Sequence, residues 1–171
     1  MNQAILALLG VMPVLVIVAG LHDVTTMKIP NWISGLLILA FFPTALLLGL
    51  PLSVASMSVG LAVAALLIGA GMFALKWLGG GDAKLMAAVT LWLGLSGALS
   101  FLLFTAMVGG GLCLGLILAR AHLQVYALNG PVWITRLLEP KGDVPYGVAI
   151  AVGALLAYPS SPLVQAFAGG G

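Results

Sequence analysis

Carboxylates are scarce in this 171-residue chain, which has four acidic residues in all. Two of them, Asp23 and Asp82, stand beside long apolar runs. Asp82 follows three glycines in Gly79-Gly80-Gly81-Asp82-Ala83-Lys84, and Asp23 lies in Leu21-His22-Asp23-Val24-Thr25-Thr26-Met27-Lys28-Ile29-Pro30-Asn31. Ionisable groups next to hydrocarbon are costly, so a chain that keeps two of them invites a functional explanation. The chemistry open to such a pair is amide hydrolysis. One ionised carboxylate takes a proton from water while the other, protonated, polarises the scissile carbonyl. Two carboxylates that share a site cannot both ionise cheaply, so the pair holds one proton and titrates as a unit. Each aspartate also has an ordinary reading: Asp82 at a helix start is a favoured cap, and Asp23 at a span end can be merely solvated. Their joint occurrence in these two settings is what favours chemistry.

The neighbours of the pair supply candidate support. Gly79, Gly80 and Gly81 lack Cβ atoms, so backbone or an extended substrate peptide can approach Asp82 closely. Lys84 is two positions from Asp82 and so not on its helical face; it and Lys28 read first as ordinary interfacial cations, with attraction of an acidic substrate residue or a lipid phosphate as the other reading. Pro30 and Asn31 close the first segment, where Asn31 and Thr25 are candidates to hydrogen-bond the loop. His22 reads first as solvated, with a hydrogen bond near the pair as its alternative; Glu139 is isolated in the loop; Asp143 caps or orients the last helix; and Tyr146 and Trp133 read as interface anchors. One cysteine, Cys113, allows neither an intrachain disulfide nor a Cys-rich zinc site. No metal and no cofactor are expected.

The elements that must position these groups are set by composition. Hydrophobic residues make up 63% and charged residues 6% of the chain, with a mean hydropathy of +1.25. Soluble domains carry about 25% charged residues, so an all-α polytopic membrane protein is expected. A span needs roughly 20 residues, and the apolar runs fall at about 4–22, 32–50, 53–75, 83–95, 97–119 and 144–163. The expected architecture is one membrane-embedded domain, 1–171, of six spans without a soluble domain. The first run follows Met-Asn-Gln-Ala, with no basic residue, and reads as a retained span rather than a signal peptide. Gly94-Leu95-Ser96-Gly97 is the weakest boundary. Pro43 is expected to kink the second span, and Ser53 to cap the third. The stretch 132–138 predicts a short interfacial helix before the last span, with Trp133, Ile134, Leu137 and Leu138 in lipid. Small-residue runs from Gly60 to Gly71 and from Gly109 to Gly115 suit close helix packing.

Orientation follows from the basic residues. Lys28, Lys76, Lys84, Arg120, Arg136 and Lys141 all fall in alternate connections, and such loops are cytoplasmic. Both termini are therefore expected outside, with Asp23, Asp82 and Asp143 at the cytoplasmic face. Six scattered cations make no nucleic-acid patch.

At these residues the chain resembles the type IV prepilin peptidases, a family of intramembrane aspartyl proteases, and most closely their minimal form associated with Tad/Flp-type pili. Asp23 with Ile29-Pro30-Asn31 is similar to the first family element, and Gly79-Gly80-Gly81-Asp82-Ala83-Lys84-Leu85 to the second. Val144-Pro145-Tyr146-Gly147 resembles the start of the family's last span. The resemblance implies removal of the short basic leader from prepilin or pseudopilin precursors at the cytoplasmic face of a bacterial inner membrane, with Asp23 and Asp82 catalytic. The cysteines of the larger members are missing, so N-methylation of the product is not expected. Presenilin-type proteases share the second element, but here His22 precedes Asp23 where they carry tyrosine.

Two other classes compete. Paired carboxylates also serve small proton- or cation-coupled transporters, although those sites usually lie near mid-membrane and this chain shows no inverted repeat. A membrane scaffold for a secretion machine would tolerate loss of both aspartates.

Overall fold

Leucine, alanine and valine runs with few breakers propagate helix, and in lipid a helix satisfies its own backbone. The computed structural model describes residues 2–123, 131–140 and 142–169, and Lys141 lies outside them. Among the described residues the order is α1 (Asn2–Thr26), α2 (Asn31–Leu47), α3 (Leu52–Ala74), α4 (Gly80–His122), α5 (Val132–Leu137), α6 (Tyr146–Ala157), a 3-10 turn (Tyr158–Ser160) and α7 (Pro162–Gly169). Four stretches are long and apolar enough to cross a membrane: Gln3–Thr26, Leu52–Ala74, Gly80–His122 and Tyr146–Gly169. Helix α2 is shorter, at 17 residues, and continues through Pro43.

Helix α4 is interrupted once. Gly94 has φ 56° and ψ −165°, a conformation outside the helical region and essentially restricted to glycine. The neighbours of the two halves show that the chain turns back there. Residues 80–93 run antiparallel to α3: Gly69 packs on Ala83 at one end, and Gly94 on Ser58 at the other. Residues 95–122 return along α6 in the opposite sense, pairing Gly97 with Ala157, Thr105 with Gly153 and Gly109 with Tyr146. The break falls at the boundary expected from the sequence.

The core lies between α1, α2, the first half of α4, and α6. Trp92 is fully buried, stands edge-on to Phe41 at 6.2 Å and donates its indole N–H to Leu37 O at 2.8 Å. Ser161 Oγ donates to Trp92 O at 2.6 Å, and Tyr158 Oη to Leu9 O at 2.8 Å. These bonds satisfy polar atoms that would be costly in an apolar interior. Helix α3 buries only Ser58 and Gly69 and presents Leu52, Leu67 and Ile68 outward, as a lipid-facing helix does.

Several local expectations are corrected. Helix α3 starts at Leu52 after Pro51, with no side-chain cap, so Ser53 is not its N-cap. The fixed φ of Pro51, −52°, starts the helix two residues earlier than a cap at Ser53 would. Of the small-residue runs, Gly69 and Gly109 meet neighbours, whereas Gly60, Gly71, Gly110, Gly111 and Gly115 have none within 4 Å. The short helix expected at 132–138 is present as α5 and none of its residues is buried. It sits at the end of α1, where Arg136 Nη1 donates to Thr26 O at 3.4 Å.

Candidate active site

Ile29, in the short connection from α1 to α2, organises the site. It is buried at 9% exposure because two helix N-termini close on it. A Cβ at Gly81 would lie 3.1 Å from Ile29 Cβ and 3.3 Å from its carbonyl oxygen. A Cβ at Gly147 would lie 2.8 Å from Ile29 Cδ1. Glycine at both positions lets α4 and α6 start against the same side chain. The starts of these two helices, one carrying Asp82 and the other holding Asp23, thereby close on one connection.

Asp23 sits near the C-terminal end of α1 and is 6% exposed. Its Oδ2 accepts the N–H of Gly147 at 2.7 Å. That amide is one of the unpartnered donors in the first turn of α6, so the carboxylate caps a neighbouring helix and meets the positive end of its dipole. Asp143, expected to cap this helix, does not: α6 has no side-chain cap from its own flank, Asp143 is exposed, and its carbonyl accepts Arg120 Nη2 at 2.8 Å.

Asp82 occupies the third position of α4, whose N-cap is Gly79. Its carboxylate turns back toward the Gly79 amide, the arrangement by which an acidic third residue serves an N-terminal donor. A Cβ at Gly79 would lie 2.6 Å from Asp82 Oδ2, and one at Gly80 would lie 3.3 Å from the Phe73 ring. The three glycines therefore make room for the chain's own groups: Asp82, Phe73 and Ile29. The Asp23 and Asp82 carboxylates are close enough to interact electrostatically. The capping reading of Asp82 and its membership of a pair are thus compatible.

The other candidates form a shell. Pro30 is the N-cap of α2, and its carbonyl accepts Ile33 N–H at 3.2 Å. Asn31 Oδ1 accepts Lys84 Nζ at 2.9 Å, tying α2 to α4 beside the pair. Lys28 is exposed, and its carbonyl lies 2.8 Å from His22 Nδ1. That imidazole also meets Thr26 Oγ1 at 2.8 Å, so His22 is committed to the connection rather than solvated. Thr25 bonds back to Leu21 O within its own helix and does not reach the loop. Met27 has φ 55°, a strained conformation for a side chain of its size, and its N–H reaches Asp23 O at 2.7 Å. The connection is thus tightly wound behind the carboxylate.

Two contributors were not singled out as site residues from sequence. Gly147 is required by close approach, since its Cβ would also lie 2.8 Å from Asp23 Oδ2. Tyr146, expected as an interface anchor, instead packs inward on Gly109 within electrostatic reach of Asp82. Pro145-Tyr146-Gly147 carried the only signal for them.

Asp82 in the first turn of α4 and Asp23 against the first turn of α6 thus flank the Ile29 connection in a chain that is otherwise apolar. The family model of the type IV leader peptidase family matches residues 10–114, more than half of the chain. No curated protein and no solved structure matches it.

Proposed function

This chain belongs to the type IV leader peptidase family, and from that premise we propose that it is an intramembrane aspartic endopeptidase whose catalytic pair is Asp23 and Asp82. The observation that supports the reading is the packing of Gly81, the residue before Asp82, and of Gly147, whose amide holds Asp23, on the same Ile29. In this mechanism the pair shares one proton. The ionised member accepts a proton from water as it attacks the scissile carbonyl, and the protonated member donates to the carbonyl oxygen. The resulting diol collapses with proton transfer to the leaving amine, and the pair regains its starting state. Lys28, Pro30, Asn31, Lys84 and the glycines 79–81 hold the two loops in register.

The substrate on this reading is a prepilin-type precursor, of the Tad/Flp kind, cut between a short basic leader and an apolar helix. Support comes from position, because both carboxylates lie at helix ends, where the junction of a soluble leader and a membrane helix would arrive. We further propose six crossings, two of them contributed by α4 on either side of Gly94, with both termini outside. Lys28, Lys76, Lys84, Arg120 and Arg136 all lie at the Asp23 end, which supports a cytoplasmic site. No methyltransferase activity is proposed. The end-of-helix placement lends no support to a transporter.

Co-expression with a tagged Tad/Flp-type precursor tests the reading. Wild type is expected to convert the precursor to a faster-migrating product, and Asp23→Asn and Asp82→Asn to leave it intact while still inserting in the membrane. Conversion by either variant would overturn the assignment of the pair.

A further inference from the structure

A crevice of about 330 Å³ runs between α2, α3 and the first half of α4, outside the carboxylate pair. Its upper end is polar, with Lys84 and Asn31 at the rim, and its lower end is apolar, reaching Phe42 and Leu91. From Asn31 to Phe42 the depth is about 16 Å by helical rise. Lys84 and Ser34 are two of the polar side chains that line it. Lys84 is bonded only to the neutral Asn31 side chain and meets no carboxylate among the described residues. Ser34, one turn below Asn31 and 5% exposed, has no hydrogen-bond partner for its hydroxyl. Thr44, Ser58 and Thr90 each donate to the carbonyl four residues back, as buried helical hydroxyls do; among the described residues Thr105, packed against Gly153 and away from the crevice, is also unpaired. A buried polar atom left unpaired calls for a missing partner.

We propose that this crevice is a binding site for one anionic glycerophospholipid. The phosphate pairs with Lys84, an ester carbonyl accepts the Ser34 hydroxyl, and one acyl chain descends past Gly35 toward Phe42. The order cation, hydroxyl, apolar slot is the order of phosphate, ester and hydrocarbon in such a lipid. The proposal concerns a site beside Asp82 and does not depend on what that residue catalyses.

Gly35 offers a clean probe, because a Cβ there would meet nothing within 4 Å, so Gly35→Leu fills the slot without a clash at the branch point. Native mass spectrometry of the detergent-purified protein, titrated with dioleoyl phosphatidylglycerol or dioleoyl phosphatidylcholine, reads the bound lipid. Wild type is expected to bind one phosphatidylglycerol about fivefold more tightly than phosphatidylcholine, the factor expected from one interfacial cation. Lys84→Gln should erase that preference, Ser34→Ala should weaken both lipids, and Gly35→Leu should lose both while keeping wild-type helicity. Equal binding of the two lipids by wild type, or undiminished binding by Gly35→Leu, would overturn the proposal. So would unchanged lipid binding by Gly35→Leu together with lost precursor binding, which would assign the crevice to the substrate. Each arm can be run on Asp82→Asn protein, so failure here is distinct from failure of the peptidase reading.

Discussion

At the residue scale, the arrangement turns on how little space surrounds Asp23. Its carboxylate is held by one amide at 2.7 Å, and the residue bearing that amide must be glycine, because a Cβ would lie 2.8 Å from both Asp23 Oδ2 and Ile29 Cδ1. Gly147→Ala is therefore expected to displace the Asp23 side chain, to destabilise by about 1–3 kcal/mol as overpacking does, and to slow cleavage more than its stability loss explains. Thermal unfolding in detergent and precursor cleavage, measured on the same preparation, check this; wild-type cleavage by Gly147→Ala would remove Gly147 from the positioning of Asp23. Tyr146→Phe keeps the ring against Gly109 and removes only the hydroxyl. It should preserve the melting temperature and reduce turnover if the phenol orders the approach to Asp82, and an unchanged rate would return Tyr146 to a packing role. The two aspartates were visible in the sequence because carboxylates are rare in so apolar a chain. Gly147 and Ile29 entered only as members of motifs, without a role of their own, since an apolar or small residue takes its role from what packs on it. Asp143 was misread as a cap because it is close in sequence to α6, whereas the anion at that helix comes from Asp23, on α1.

At the element scale, the decisive feature is the reversal within α4. The backbone of Gly94, φ 56° and ψ −165°, lies where a side chain is strained by about 1–3 kcal/mol. A Cβ there would also lie 3.0 Å from Ser58 Oγ and 3.0 Å from Pro162 Cγ. Gly94→Ala should thus lower stability by at least that range and loosen Asp82, which sits at the far end of the same half-helix. Chemical denaturation with activity measured alongside tests it, and an alanine variant as stable as wild type would contradict the strained geometry. The sequence marked this boundary only by Gly94-Leu95-Ser96-Gly97, with no charge to reinforce it. The basic residues in alternate connections implied a reversal there; what the sequence did not give was the helix on which residues 95–122 pack, which is α6. The misplaced cap at Ser53 has the same origin on a smaller scale, since the ring of Pro51 starts the helix before the hydroxyl can.

At the scale of the whole molecule, the helices at the site differ in length: residues 80–93 span about 21 Å and α2 about 26 Å by helical rise, whereas α1, which carries Asp23, has 25 residues. On the proposed reading the basic residues put their site ends at the cytoplasmic face. The same geometry predicts sidedness. With Cys113 replaced by alanine, cysteines at Lys28 and Lys76 should react with an impermeant maleimide from the cytoplasmic side, and one at Ser53 from the opposite side. Labelling of all three from one side would refute the proposed orientation. The claim on which the rest depends is that two carboxylates act as one catalytic unit, and it is tested most directly by purified protein, a synthetic precursor and mass spectrometry of both fragments. Compared would be wild type, Asp23→Asn, Asp82→Asn and the double variant. The account predicts a single cut by wild type, a loss of about 10²–10⁴ in rate for each single variant, and no further loss in the double, as for residues that work as a unit. Cleavage by either single variant within tenfold of wild type, or losses that multiply in the double, would contradict it.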